Sequence, residues 1–169
     1  SSAENFAQGG VCLLNALGVV SQISFGAEAN TASDVDLLGR LADFFAFEPP
    51  IFQEYLDQAL KSGCSFPAAR AKAALTCLQQ AKHHSMDSQT LAQFEQLLAS
   101  PNNILAIEYM KAIRRHNCKL TPSVVTRTGA GYHDADTDTA LASASALRKF
   151  IFQDTSDQKN NFDTLNQML

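Results

Sequence analysis

Two short stretches of this chain have the composition of β-strands, and the residues between them follow helical patterns. Residues 19–25 include three β-branched side chains, and residues 120–126 form the second stretch. The resulting order is helix, strand, helices, strand, helix, which fits an α/β fold. It predicts part of a Rossmann-like parallel sheet with a helical insertion over residues 34–99. Since two strands make a poor sheet on their own, we expect the first strand and helix of such a unit to be absent from this chain.

Local end signals divide the helical region. Ser33 is expected to cap one helix, the Pro49-Pro50 pair to start the next, and Gly63 to end it. The predicted helices cover residues 34–47, 50–62, about 65–82, 88–99 and 101–119. The first helix of the chain ends near Gly18 and contains Gly9 and Gly10. Glycines inside a helix destabilise it unless something packs closely, so a neighbouring strand outside this chain is expected there.

The segment 123–149 combines a strand, a glycine loop and a helix start. The loop carries His133, and the following helix start carries Ser143, Ser145 and Arg148. Free N–H groups at helix N-termini and close backbone approach at glycines favour phosphate binding. Arg127 and Arg148 would add fixed positive charge beside a triphosphate. The alternative is that the glycines only form a turn and the serines only cap a helix.

Other polar residues stand at positions where a ligand can bind. Asn102 and Asn103 are expected to place two amides at an exposed helix start, where they can hydrogen-bond a ribose or a base or only cap the helix. Gly26 follows the first predicted strand, and ligands bind at the carboxyl ends of parallel strands; the alternative is a turn glycine. Arg70 stands in the first turn of a predicted helix, where the helix dipole disfavours a cation. It is therefore singled out as a candidate functional residue, and the alternative is a solvated side chain.

A basic cluster ends the last long helix before the second strand. Arg114, Arg115 and Lys119 are candidates for contact with RNA, although cations also favour a helix C-terminus for electrostatic reasons. The net charge of −4 argues against a general coating of nucleic acid. It does not exclude a local basic patch.

Composition excludes several classes of protein. No apolar run is long enough to cross a bilayer, so no membrane partner is expected. The chain opens without the basic and apolar regions of a signal peptide. Its four cysteines lack C-x-x-C spacing, and His83-His84 lacks partners at metal-ligand spacing, so neither a disulfide framework nor a metal site is predicted. Reduced thiols favour a cytoplasmic location.

Four segments, taken together and in order, resemble the tRNA(Met) cytidine acetate ligase family of HIGH-motif nucleotidyltransferases. The two strongest are Ser-Pro-Asn-Asn-Ile-Leu and Tyr-His-Asp followed by Ala-Ser-Ala-Ser-Ala-Leu-Arg-Lys. The four segments cover residues 3–28, 62–70, 100–109 and 127–149. The resemblance implies the HUP nucleotidyltransferase fold, with residues 1–152 as that domain and residues 153–169 as the start of a C-terminal helical region.

The resemblance also implies a reaction. ATP and acetate would form acetyl-adenylate, and the acetyl group would pass to N4 of the wobble cytidine in elongator tRNA(Met), with Mg²⁺ on the triphosphate. The family's nucleotide contacts map to Gly26, to Asn102 or Asn103, and to Arg127. Its phosphate-side serine motif maps to Ser143 and Ser145. His133 is a candidate general base because imidazole titrates near neutrality.

One departure from the family pattern is large. Family members begin with a strand and a His-x-Gly-His loop that holds the ATP phosphates, and no such motif is present here. We therefore expect a middle fragment, or one piece of a cleaved or split protein, that needs the N-terminal segment of the same protein as a partner and is inactive alone. Two alternatives remain: a small-molecule nucleotidyltransferase of the same fold, and a non-catalytic helical interaction module.

Overall fold

The computed structural model describes residues 2–80 and 87–127. Within them, six helices and two strands follow one another. Their bounds are α1 Ser2–Ala16, β1 Gln22–Ala27, α2 Ala32–Ala46, α3 Pro50–Lys61, α4 Phe66–Gln80, α5 Ser88–Ala99, α6 Pro101–Arg115 and β2 Thr121–Thr126. The chain divides into two compact units, Ser1–Thr126 and Arg127–Leu169, and every one of these elements belongs to the first.

The two strands pair in parallel, which confirms the predicted α/β fold. Gln22 lies opposite Thr121, and the register continues to Ala27 opposite Thr126. The predicted bounds of the first strand are wrong, since β1 begins three residues later than residue 19 and ends two residues beyond residue 25. Gly26 is consequently a strand residue opposite Val125 and not the start of a loop. A strand's limits are set by its hydrogen-bonded partner, and the partner here is about a hundred residues away.

The core lies between the helices, with α6 at its centre. α6 packs against α1, α2, α5 and both strands. Phe45 of α2 and Phe94 of α5 are fully buried, and Phe44, Phe45 and Phe52 meet edge to face with ring centroids 5.3–6.0 Å apart. Edge-to-face packing is a favoured arrangement of aromatic rings. The insertion α2–α5 thus forms one apolar core with α6.

Most helix ends follow the local signals. Pro50 begins α3, and Gly63 lies just beyond its C-cap with φ +88°, a conformation that suits glycine. The predicted cap of α2 is wrong. Thr31 caps this helix, and its hydroxyl accepts from the N–H of Asp34 while the Asp34 carboxylate accepts from the N–H of Thr31. Because α2 begins two residues earlier than expected, Ser33 lies inside its first turn.

One face of α1 is sparsely packed in the described part of the chain. A Cβ atom built on Gly9 or Gly10 would meet no atom within 4 Å. Phe6 and Leu13, on the same side of the helix, are 66% and 65% exposed. The close neighbour expected there is therefore not among residues 2–80 and 87–127. In these same ranges, no helix is both long and apolar enough to cross a membrane.

Candidate functional site

The carboxyl end of β1 and the N-terminus of α6 meet at one edge of the parallel sheet. Glu28 follows β1 directly, and its Oε2 accepts from the backbone N–H of Asn103 at 3.1 Å. Its Oε1 accepts from Nδ2 of Asn102 at 2.5 Å. The backbone N–H of Glu28 donates in return to Oδ1 of Asn103 at 2.8 Å. Three hydrogen bonds therefore join the loop after β1 to the first turn of α6.

Glu28 caps the N-terminus of α6 in place of an N-cap side chain. Ser100 is the N-cap of α6, but its side chain makes no capping hydrogen bond. The first N–H groups of a helix lack partners within the helix, and its N-terminus carries partial positive charge. The Glu28 carboxylate satisfies one of these groups and places negative charge at the positive end of the helix. This capping group comes from a residue distant in sequence.

The two asparagines differ in their surroundings. Asn103 is only 2% exposed, so the expectation of two exposed amides is wrong for this residue. Its side-chain oxygen is used by the backbone of Glu28. Asn102 is half-buried, and only its Nδ2 is bonded within the described residues. Asn102 is therefore the amide with a group left for a ligand.

The end of β2 is tied to the same loop. Oγ1 of Thr126 donates to the carbonyl oxygen of Ala29 at 3.0 Å, so the backbone after β1 is held both by α6 and by β2. Gly26, two residues before Glu28, is exposed on β1. Arg127 follows Thr126 directly in the chain and is exposed. The structure thus brings Gly26, Asn102 and Asn103 to one edge of the first unit.

A second group of charges is buried between α1, α4 and α6. The Glu108 carboxylate lies between Nη1 of Arg70 and Nζ of Lys111, at 2.5 Å from each. Lys111 also donates to Oε1 of Glu4 at 2.7 Å. The guanidinium of Arg70 stacks 3.9 Å from the ring centroid of Phe45. The interpretation of Arg70 as a solvated side chain is wrong, because Arg70 is largely buried and pairs with Glu108. This partner lies 38 residues away in the sequence.

This network has a consequence for titration. The hydrogen bond from Lys111 lowers the pKa of Glu4 from 4.5 to about 2. Glu108 and Lys111 are almost completely buried, which is tolerated only when such charges are paired. The network holds three helices together, and its geometry indicates a structural role.

The basic cluster at the end of α6 is largely engaged with the protein itself. Nε of Arg114 lies 2.5 Å from Oδ1 of Asp43, and Arg115 donates to the carbonyl oxygen of Phe45 at 3.1 Å. Lys119 is exposed, and no described residue pairs with its ammonium group. Of the three cations named from the sequence, Lys119 is the one most open to an external partner.

Comparison with known proteins places this architecture in a family. A sequence model of the HIGH Nucleotidyl Transferase family matches residues 1–169. This chain belongs to that family. Curated relatives named tRNA(Met) cytidine acetate ligase share 42% identity over 96% of this chain in Clostridium perfringens and 38% over 90% in Halothermothrix orenii. They confirm the resemblance noted in the sequence. The chain spans 39% and 35% of the length of these two relatives.

Solved structures agree with this family assignment. Thermotoga maritima TmcAL without ligand superposes with a TM-score of 0.79 over 99% of this chain, at 26% identity. The same protein bound with alpha-thio ATP superposes with a TM-score of 0.74 over 98% of the chain, at 25% identity. The chain covers 36% and 34% of those structures. The nucleotidyltransferase fold expected from the sequence is confirmed.

Several residues named from the sequence lie outside the described residues. They are His83, His84, His133, Ser143, Ser145 and Arg148. The C-terminal segment 153–169 lies outside them as well. Sequence reasoning missed the role of Glu28, whose signal was its place in the loop predicted after the first strand. Among the described residues, no three histidine, cysteine or acidic side chains are grouped as a metal site.

Proposed function

We propose that this chain carries part of the active site of an ATP-dependent ligase that acetylates N4 of the wobble cytidine of elongator tRNA(Met). The observation that carries the proposal is the 42% identity to a tRNA(Met) cytidine acetate ligase over 96% of this chain. The fold shared with a TmcAL bound to alpha-thio ATP supports ATP as the nucleotide. Acetate and tRNA(Met) are the proposed substrates, and the cytoplasm is the proposed location.

The chemistry proceeds in two balanced steps. In the first, an acetate oxygen attacks the α-phosphorus of ATP, the bond to the bridging oxygen of the β-phosphate breaks, and pyrophosphate leaves. In the second, the cytidine N4 attacks the acetyl carbon, the bond to AMP breaks, and N4 loses a proton. Both steps depend mainly on positioning and on stabilising negative charge. For the second step, the cytosine must be unstacked.

The residues of this chain receive distinct roles in the proposal. Gly26 allows the sheet edge to approach the nucleotide, and Asn102 hydrogen-bonds its ribose or base. Arg127 stabilises charge on the phosphates, as do Ser143, Ser145 and Arg148. His133 is the candidate base for the N4 proton. Lys119 is the preferred tRNA contact, because Arg114 and Arg115 have partners within the protein.

Mg²⁺ is the proposed companion of the triphosphate. The ion usually keeps several waters and binds through substrate phosphates with only one or two carboxylates. When bound, the ion would neutralise phosphate charge. The N-terminal segment with the family's His-x-Gly-His loop is the proposed partner on the phosphate side.

The test is acetate-dependent exchange of pyrophosphate into ATP. It is measured for the 169-residue chain and for a chimera in which this chain replaces the matched segment of the C. perfringens ligase. We expect exchange in the chimera and none in the chain alone. Arg127→Met should abolish exchange in the chimera, whereas Lys61→Met, a matched loss of charge in the last turn of α3, should not. A folded chimera without exchange would refute the proposal.

Transfer to RNA is tested separately. The chimera should acetylate elongator tRNA(Met), and its affinity for this tRNA should fall with rising salt as phosphate contacts are lost. Exchange that requires a phosphorylated cofactor precursor instead of acetate would favour the small-molecule nucleotidyltransferase. Lack of ATP binding by the chimera would favour the interaction module.

A further inference from the structure

The contacts of Glu28 determine which atom of Asn102 is available. A carboxylate only accepts hydrogen bonds, so the Asn102 side chain must turn its NH₂ group towards Glu28. This is the arrangement observed, with Nδ2 of Asn102 on Oε1 of Glu28. The Oδ1 of Asn102 accepts no hydrogen bond from the described part of the chain. Glu28 therefore leaves Asn102 with a free acceptor and uses one of its donors.

The free acceptor, Oδ1 of Asn102, can bind only a ligand group that donates a hydrogen bond. A ribose hydroxyl or the exocyclic amine of adenine can donate to Oδ1 of Asn102. Phosphate oxygens are themselves acceptors, so they gain nothing from this atom. The Glu28 carboxylate also repels a phosphate at the N-terminus of α6, where the helix would otherwise attract one. This end of the sheet is thus suited to the nucleoside and unsuited to the triphosphate.

The anchor for this orientation is the double attachment of Glu28. Its Oε2 is held by the backbone N–H of Asn103, and its own N–H is held by the buried side chain of Asn103. Asn103 therefore holds both the carboxylate and the backbone of Glu28, independently of Asn102. Asn102 then takes its orientation from a group that is itself immobilised.

We propose that Glu28 is a positioning residue that turns the Oδ1 of Asn102 towards a hydrogen-bond donor of the nucleoside and keeps phosphate away from the N-terminus of α6. This inference rests on the proposed function, because it assumes that the site binds ATP. It adds that α6 recognises the nucleoside part of the nucleotide and that Glu28 determines this preference.

The test separates the two halves of the nucleotide. Adenosine, tripolyphosphate and ATP are titrated into the chimera, unchanged and with the variants Glu28→Gln, Asn102→Ala and their combination, because the phosphate side of the site needs the N-terminal segment. A glutamine at position 28 retains the shape but offers only one acceptor, so the Asn102 amide loses its fixed orientation. We expect adenosine and ATP to bind roughly tenfold more weakly. Tripolyphosphate should bind unchanged or more tightly.

Two comparisons distinguish positioning from general damage to the fold. If Glu28 acts through Asn102, the double variant should bind adenosine no more weakly than Asn102→Ala alone. Asp87→Asn is the matched control, since the Asp87 carboxylate also caps a helix N-terminus, that of α5. This control should leave all three affinities unchanged. Far-UV circular dichroism verifies that each variant is folded.

Each remaining outcome overturns the inference. Equal weakening of adenosine and tripolyphosphate in Glu28→Gln would show a structural role only, and additive losses in the double variant would show that Glu28 does not act through Asn102. A folded chimera without substitutions that fails to bind adenosine would show that α6 makes no nucleoside contact. The proposed function is judged independently by pyrophosphate exchange in the chimera.

Discussion

Replacing Glu108 by glutamine should be among the most destabilising changes of a single charge in this protein. The Glu108 side chain is fully buried and lies 2.5 Å from both Arg70 and Lys111. The side chains of these two cations are only 14% and 5% exposed. The variant removes the central negative charge while preserving volume, so two cations remain in a poorly solvated place.

The magnitude follows from opposing terms. At 2.5 Å and an effective dielectric constant of about 20, each pair gains roughly 7 kcal/mol. Desolvation of each ion opposes this by several kcal/mol, so the intact network contributes little net stability. Removing one partner cancels the attraction and leaves the desolvation, which costs about 3–5 kcal/mol. Lys111 keeps Glu4 as a partner, so we expect a loss of about 3 kcal/mol, within that range.

The assay is equilibrium unfolding in urea at pH 7, followed by far-UV circular dichroism. The matched control is Asp43→Asn, which breaks the ion pair to Arg114 at a carboxylate that is 57% exposed. The control should cost less than about 1 kcal/mol because exposed pairs are screened by solvent. A loss below about 1 kcal/mol for Glu108→Gln, with an unchanged m-value, would refute the reasoning about buried charge.

Three further changes test other parts of the structure by the same unfolding assay. Lys111 lowers the pKa of Glu4 to about 2 from 4.5, so this carboxylate stabilises the fold above pH 4.5 and ceases to do so as pH falls through 2. Glu4→Gln should cost about 1–2 kcal/mol at pH 7, after allowance for a side chain that is 32% exposed, and nothing near pH 2; a difference that persists there would contradict the assignment. Thr31→Ala should cost about 1 kcal/mol through loss of the N-cap of α2, whereas Ser33→Ala should cost almost nothing, and the reverse order would contradict the observed cap. Phe94→Ala should cost about 3–5 kcal/mol, since the ring is fully buried, and a loss under 1 kcal/mol would mean that the core refills the cavity.

Helix ends could be predicted from the sequence where local chemistry determines them. Proline at the first position and glycine beyond the last located the limits of α3, and Ser100 with Pro101 located the start of α6. α5 was predicted over residues 88–99 and is observed as Ser88–Ala99. These signals act on neighbouring backbone groups, so a short window of sequence contains them.

The limits of the strands and the partners of the buried charges depended on residues far away in the chain. The observed limits of β1 differ from the predicted ones because its pairing with β2 sets them. The alternative of a solvated Arg70 is not observed, since Arg70 is paired with Glu108. Asn103 was expected on the surface and is instead buried against Glu28. For both side chains the sequence allowed two environments, and packing of the whole chain selected one.

The sequence alone determined the order of the elements, the parallel α/β class and the family, because periodicity, helix-end residues and ordered motifs are properties of contiguous segments. Only the tertiary structure decided that Glu28 caps α6 and orients Asn102. Residues 28 and 102 are 74 positions apart, and no local rule links a residue after a strand to the first turn of a distant helix. Long-range hydrogen bonds form where packing removes water from polar groups that must then find partners, and that geometry exists only in the folded chain.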